Sequence, residues 1–213
     1  MFRVFSCLLS LLVSSASFAE PVSLQKDKFE HIHFRRIQPT VVTFSSDGII
    51  FDVNKSSSFL LMAFDDIKQV RSISFQWKAN GILNTISAEY EKTRKGDDAW
   101  LRVGLLVSGE PEPVPELLLP RWAQQVRRTL KHPSDRMIYL IPGARQEPGK
   151  TWKSPFSTSI EMISVGSDAL PDGWNQVTYD FPKPQNSVGL WIMADGDNTG
   201  SNFISQLRKL VIE

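Results

Sequence analysis

Two short acidic clusters hold most of the chemistry in this 213-residue chain. One is Arg94-Lys95-Gly96-Asp97-Asp98, which leads into an apolar stretch bearing Arg102. The other is Asp195-Gly196-Asp197-Asn198-Thr199-Gly200, between two apolar stretches near the end of the chain. Oxygens at the first, third and fifth places of a turn, with glycine at the sixth, are how a loop wraps calcium. Asp195, Asp197 and Thr199 take those places, so calcium is the one ion this sequence suggests. The twelfth place is Gln206 rather than a bidentate Glu, and the flanks read as strands, so a helix-loop-helix calcium site is excluded. Asp and Asn can instead close such a turn by bonding its backbone.

Carboxylates facing each other across a sugar can also hydrolyse a glycosidic bond, and Asp97 or Asp98 with Asp195 or Asp197 would supply the pair. A third arrangement joins both clusters into one internal clasp. Arg102 falls on an apolar strand, where a charge needs a partner, and the aspartates with Asn198 would provide it. Other chemistries find less to work with. There is no Gly-x-Ser-x-Gly elbow, no phosphate-cradling glycine loop and no His-Glu-x-x-His. The three histidines, His31, His33 and His132, do not make a metal set, and His31 and His33 read as edge residues of one strand face.

The elements that must position these clusters are short, alternating and numerous. Val41 to Phe44 and Ile49 to Val53 flank a Ser-Ser-Asp-Gly turn, and Ser58 to Phe64 follows. In Ser72 to Lys78, Ile73, Phe75 and Trp77 face one way and polar residues the other. Trp100 to Val107, Arg136 to Ile141, Thr158 to Val165, Trp174 to Phe181, Val188 to Ala194 and Leu207 to Ile212 continue the series. This predicts an all-β, antiparallel β-sandwich of jelly-roll type. One segment breaks the pattern. After the stiff Glu110-Pro-Glu-Pro-Val-Pro115, residues 116–131 carry Leu119, Trp122, Val126 and Leu130 at helical spacing, opposite Arg121, Arg127 and Arg128. An inserted amphipathic helix is expected there, packing one stripe on the sandwich. Of the six tryptophans, Trp152 in its Gly-Lys-Thr-Trp-Lys-Ser-Pro loop is the one expected to offer a free face, with Trp100 second.

Compartment is read from the start of the chain. Arg3, the apolar run Val4 to Val13 and Ala16-Ser17-Phe18-Ala19 have the form of a secretory signal over residues 1–19. That run is shorter than the about 20 residues needed to span a bilayer, and no later one is long enough, so no transmembrane anchor is expected. The export signal predicts a periplasmic or secreted protein. Residues 20–213 then form a single domain, about the size at which one core suffices without disulfides. The lone cysteine, Cys7, falls within the signal. The chain has 24 Lys+Arg and 23 Asp+Glu, and losing Arg3 with the signal leaves 23 of each. No basic excess remains for nucleic acid.

The stretches SFQWKANG, RKGDDAWLRVGLLVSG, MIYLIPG, KTWKSPF, DGWNQVTYDF and IMADGDNTG occur in this order. In that order they resemble a bacterial exported family, domain of unknown function 3047, over about residues 40–213. The resemblance falls on Trp77, Gly96, Asp97, Asp98, Arg102, Tyr139, Trp152, Pro155, Trp174, Asp195, Asp197, Asn198 and Thr199. The Pro-rich segment and helix before Tyr139 depart from the family pattern. The resemblance implies export and a jelly-roll, galactose-binding-like fold, by analogy one that binds carbohydrate or protein. Three functions follow as expectations. The first is an exported non-catalytic binding domain for a glycan or envelope polysaccharide. The second is a glycan-acting enzyme using the two acidic loops, and the third a structural or partner-docking envelope protein.

Overall fold

A computed structural model describes residues 19–213, so the expected signal at 1–19 lies almost wholly outside the described residues. The described chain is mostly β and forms twelve strands: β1 Glu20–Pro21, β2 Glu30–His33, β3 Val41–Ser45, β4 Gly48–Asn54, β5 Ser58–Ile82 and β6 Ala99–Ser108 come first. After them come β7 Ser134–Pro142, β8 Thr151–Lys153, β9 Ile160–Val165, β10 Asp168–Ala169, β11 Asn175–Asp195 and β12 Asn202–Ile212. Two helices interrupt them, α1 Ala88–Glu91 and α2 Arg121–Thr129, with a 3-10 turn at Glu116–Leu118 before α2.

The long strands β5 and β11 organise a sandwich-like fold. Pairing runs β3-β4-β12-β5-β11-β6-β7-β9-β8. The second half of β5 pairs with β12 and the start of β11, and its first half with β2 and the end of β11. Each strand thus passes from one half of the sandwich to the other, through ladder breaks between Asp180 and Gln185 and between Ser187 and Gly189. Two strands were expected in each of these stretches. Pro182 and Pro184 stand in the first break, where a residue without an N–H loses no ladder bond. In the second break Phe64 to Ile67 of β5 stand against Val188 alone, and Asp65, Asp66 and Ile67 are exposed there.

The main core lies between the halves. Ile73, Phe75 and Trp77 of β5 meet Leu101, Val103 and Leu105 of β6, with Phe51 and Leu140. Burying each such side chain contributes about 1.5–3 kcal/mol. A second cluster covers the other face of β6, where Leu106, Met137, Tyr139 and Trp191 lie under Trp122 and Val126 of α2 and Leu130 just after it. The helical stripe therefore packs as its spacing requires. Leu119 is extended rather than helical because Pro120 follows it, which separates the 3-10 turn from α2.

One pairing departs from the antiparallel expectation. β7 and β9 run parallel from Met137/Ile160 to Pro142/Val165, so the sheet is mixed. The cause is β8, which the apolar pattern did not reveal. It forms an antiparallel pair on the far side of β9 and turns the chain back along β7.

Candidate functional site

Arg102 sits on β6 opposite the main-core residues Leu101 and Val103, with Met193 of β11 across from it. Beyond Met193 the register shifts, so that Asp195 pairs with Ala99. Asp97 and Asp98 lead into β6, and the 196–201 loop leaves β11 beside them. Gly96 is required by close approach: a Cβ there would lie 2.1 Å from the Tyr90 carbonyl oxygen. The two acidic loops are brought together by neighbouring strand ends.

The geometry is a clasp. Arg102 Nη1 donates to Asp195 Oδ2 at 2.7 Å, and Nη2 donates to Asp97 Oδ1 at 2.8 Å and the Asp97 carbonyl at 3.0 Å. All three residues are at most 4% exposed. Ala99 N–H donates to the remaining Asp195 oxygen at 3.2 Å. Asp98 accepts from Thr199 N–H at 2.7 Å and Thr199 Oγ1 at 2.5 Å, and from Asn198 N–H and Nδ2 at 3.2 Å each. Four donors fill the capacity of a carboxylate. Asp197 is half-buried and accepts from Asn198 Nδ2 at 3.4 Å.

One guanidinium faces four carboxyls, and their proton affinities reflect it. Burial pushes Asp195 well above the ordinary carboxylate range, further than Arg102 pulls it down, and its acidic neighbours act with burial. Asp97 is raised by burial against the pull of Arg102, and Asp197 by burial and then by Asp98. Burial opposes the charge of Arg102 itself, but Asp195 and Asp97 more than offset it and keep the group protonated.

The expected calcium set is not what assembles. Asp98, Asp195 and Asp197 offer oxygens within 4.8 Å of one another, whereas the Thr199 hydroxyl donates to Asp98 and contacts Ser201 Oγ. Calcium takes six to eight oxygens. Here the oxygens of Asp98 and Asp195 already accept N–H and O–H donors, and a guanidinium bonds Asp195, so internal donors compete with an ion for them. The expected free face of Trp152 is corrected by the structure. It is 9% exposed and packs in the second cluster, because β8 pairs with β9 and turns the ring inward. Trp100 is half-buried against Phe203, ring centroids 4.8 Å apart.

Residues that the motif reading passed over complete the clasp. Ser56 accepts from Gly196 N–H through its carbonyl, and Asn84 ties the 199–201 loop to the end of β5. The run Ser56-Ser57-Ser58 is the one signal that could have pointed to them. Tyr139 lies over Gly104, with the Arg102 guanidinium carbon 5.7 Å from its ring centroid.

The family model described as "Protein of unknown function (DUF3047)" matches residues 27–211. The chain belongs to this family. Among curated proteins, no match is found. Of the positions that carry this DUF3047 chain's resemblance, those from Gly96 to Arg102, Tyr139 and those from Asp195 to Thr199 converge on the clasp. Trp77, Trp152 and Trp174 are buried elsewhere, and Pro155 accepts a bond from Arg94 through its carbonyl.

A different concavity lies beneath α2. A groove of about 610 Å³ runs between α2, the 110–114 segment and strands β6 and β7. Leu106, Trp122, Val126, Leu130, Met137 and Trp191 form its apolar lining. Trp191 stacks on Phe59 at 3.4 Å between centroids and donates from Nε1 to Met193 Sδ at 3.3 Å. Met193 also accepts from the Tyr139 hydroxyl at 3.6 Å, so the clasp's neighbours hold one wall of the groove.

Proposed function

We propose that the protein is an exported, non-catalytic binding domain that takes the apolar part of an envelope ligand into the groove beneath α2. The observation that carries this reading is the groove itself: a concavity of small-molecule size with an aliphatic and aromatic lining, of which Trp122, Val126 and Leu130 are only half-buried. The acidic loops do not offer an equal alternative. Three of their four carboxyls are almost fully buried and engaged by internal donors, which leaves no facing pair for a sugar. A glycan ligand would want an exposed aromatic face, and every tryptophan is buried or half-buried, while the exposed Phe156 ring lies beside the Arg94 guanidinium. Export rests on the signal-like start of the chain.

The test is titration with a dansyl-labelled fatty acid, whose emission rises in an apolar site. Wild type should bind it saturably. Val126→Arg, which puts a charge on the groove wall, should weaken binding at least roughly tenfold while the far-ultraviolet circular dichroism stays unchanged. Failure of wild type to bind, or equal binding by Val126→Arg, would sink the reading.

A further inference from the structure

The 3-10 turn before α2 carries two leucines for which the fold has no use. Leu117 is 91% exposed and Leu118 is 73% exposed, although both are large aliphatic residues. They stand side by side at the crest of a turn framed by Pro115 and Pro120.

This crest is held firmly. Leu118 N–H donates to the Pro115 carbonyl at 2.9 Å. Arg128 of α2 donates from Nε to Glu116 Oε1 at 2.8 Å, Gln124 donates to the Leu119 carbonyl at 2.8 Å and Arg127 to the Val114 carbonyl at 3.1 Å. The prolines and these three tethers fix the leucines on a platform, so little conformational freedom remains to be lost when they are covered.

The charge around the crest is one-sided on the helix. Arg121, Gln124, Gln125 and Arg128 share its exposed face at positions i, i+3, i+4 and i+7, opposite the packed stripe of Trp122, Val126 and Leu130. Among the described residues Arg121 and Arg127 form no ion pair, and Arg128 is paired with Glu116 alone. An apolar crest followed within one to three turns by arginines is the arrangement of an interfacial anchor. The apolar tip enters the headgroup and acyl boundary, and the cations meet anionic headgroups.

We propose that Leu117 and Leu118 insert into a bilayer surface containing anionic lipid, with Arg121 and the basic face of α2 against its headgroups. A protein partner fits this surface less well. Protein hot spots favour Trp, Tyr and Arg closed off from water, and leucine is under-represented among them. No helix among the described residues is long and apolar enough to cross a membrane, so this association would be peripheral.

Sedimentation with lipid vesicles tests it. Wild type should pellet with phosphatidylcholine vesicles containing phosphatidylglycerol, and more weakly with phosphatidylcholine alone. Leu117→Ser with Leu118→Ser should reduce partitioning roughly a hundredfold. Arg121→Gln should reduce it severalfold at low salt and by less at high salt. All three side chains are exposed, so melting temperature and dansyl fatty acid binding should not change, which separates this inference from the groove reading. Wild type that stays in the supernatant with both vesicles would overturn the proposal. So would a double leucine variant that pellets as wild type does, or one that loses only a protein partner.

Discussion

The clasp around Arg102 and the groove beneath α2 are built on the same two strands, β6 and β11, and they solve opposite problems. At the clasp, charge is buried, and both oxygens of Asp98 and Asp195 and Oδ1 of Asp97 meet donors from the chain itself. At the groove, Trp122, Val126 and Leu130 are left half-buried above the buried Leu106, Met137 and Trp191. A buried charge cluster whose carboxylates are engaged by internal donors leaves a ligand little to bind, even though Arg102 Nε stays without a partner, and its removal should disturb folding. An apolar hollow that does not complete itself costs stability in the free protein and gains when it is filled. The comparison assigns structure to the most reactive-looking residues and recognition to the plainest ones.

The largest break in that comparison should come at Arg102. Arg102→Met leaves Asp97 and Asp195 buried without their counter-charge, and urea unfolding should show a loss of about 3–5 kcal/mol. A loss below about 1 kcal/mol would mean that the carboxyls do not need the arginine. Thr199→Val removes one hydroxyl donor from the buried Asp98 carboxylate and should cost about 1.5–3 kcal/mol in the same measurement, leaving dansyl fatty acid binding intact.

The pH response sharpens the electrostatic half. A carboxyl whose folded pKa is raised binds a proton in the fold that the unfolded chain has released. Stability therefore falls as pH rises from the unfolded value of 3.8 through the raised folded value. His31 works against this. Burial, then His33, lowers it from 6.5 to about 4, so its contribution is present above 6.5 and lost as pH falls towards 4. In a His31→Gln background, lowering the pH from neutral towards 4 should raise the melting temperature by on the order of a few degrees. Adding Asp197→Asn should flatten that rise. A melting temperature that falls steadily on acidification in both variants would show that the aspartates are not held above their ordinary range.

The smallest effect is expected from metal. Calcium or a chelator should move the melting temperature of neither wild type nor Asp197→Ala, because the oxygens of Asp98 and Asp195 already accept internal donors. A calcium-dependent rise in wild type that Asp197→Ala abolishes would restore a cation to the loop.

Much of this was legible where side-chain period and turn chemistry act locally. The hairpin from Val41 to Asn54, the alternation of Ile73, Phe75 and Trp77, and the α2 stripe follow from neighbours in sequence. So does the demand of Arg102 for a partner, since charge on an apolar strand must be neutralised. What could not be read depends on distant pairing. Trp152 looks free in a Gly- and Lys-rich loop until β8 pairs with β9, and that pairing also makes β7 and β9 parallel. The continuity of β11 through Pro182 and Pro184 needs a gap in the partner ladder that no local signal announces. Ser56 and Asn84 reach the clasp because both ends of β5 lie beside the 196–201 loop, not because of their spacing from any aspartate.

Dansyl fatty acid titration of Val126→Arg and Asp197→Asn side by side, at a temperature where both are folded, tests the division of roles most directly. The account predicts that Asp197→Asn binds as wild type does, whereas Val126→Arg loses binding at least roughly tenfold. Loss of binding in Asp197→Asn with retention in Val126→Arg would place the ligand at the acidic loops and contradict it.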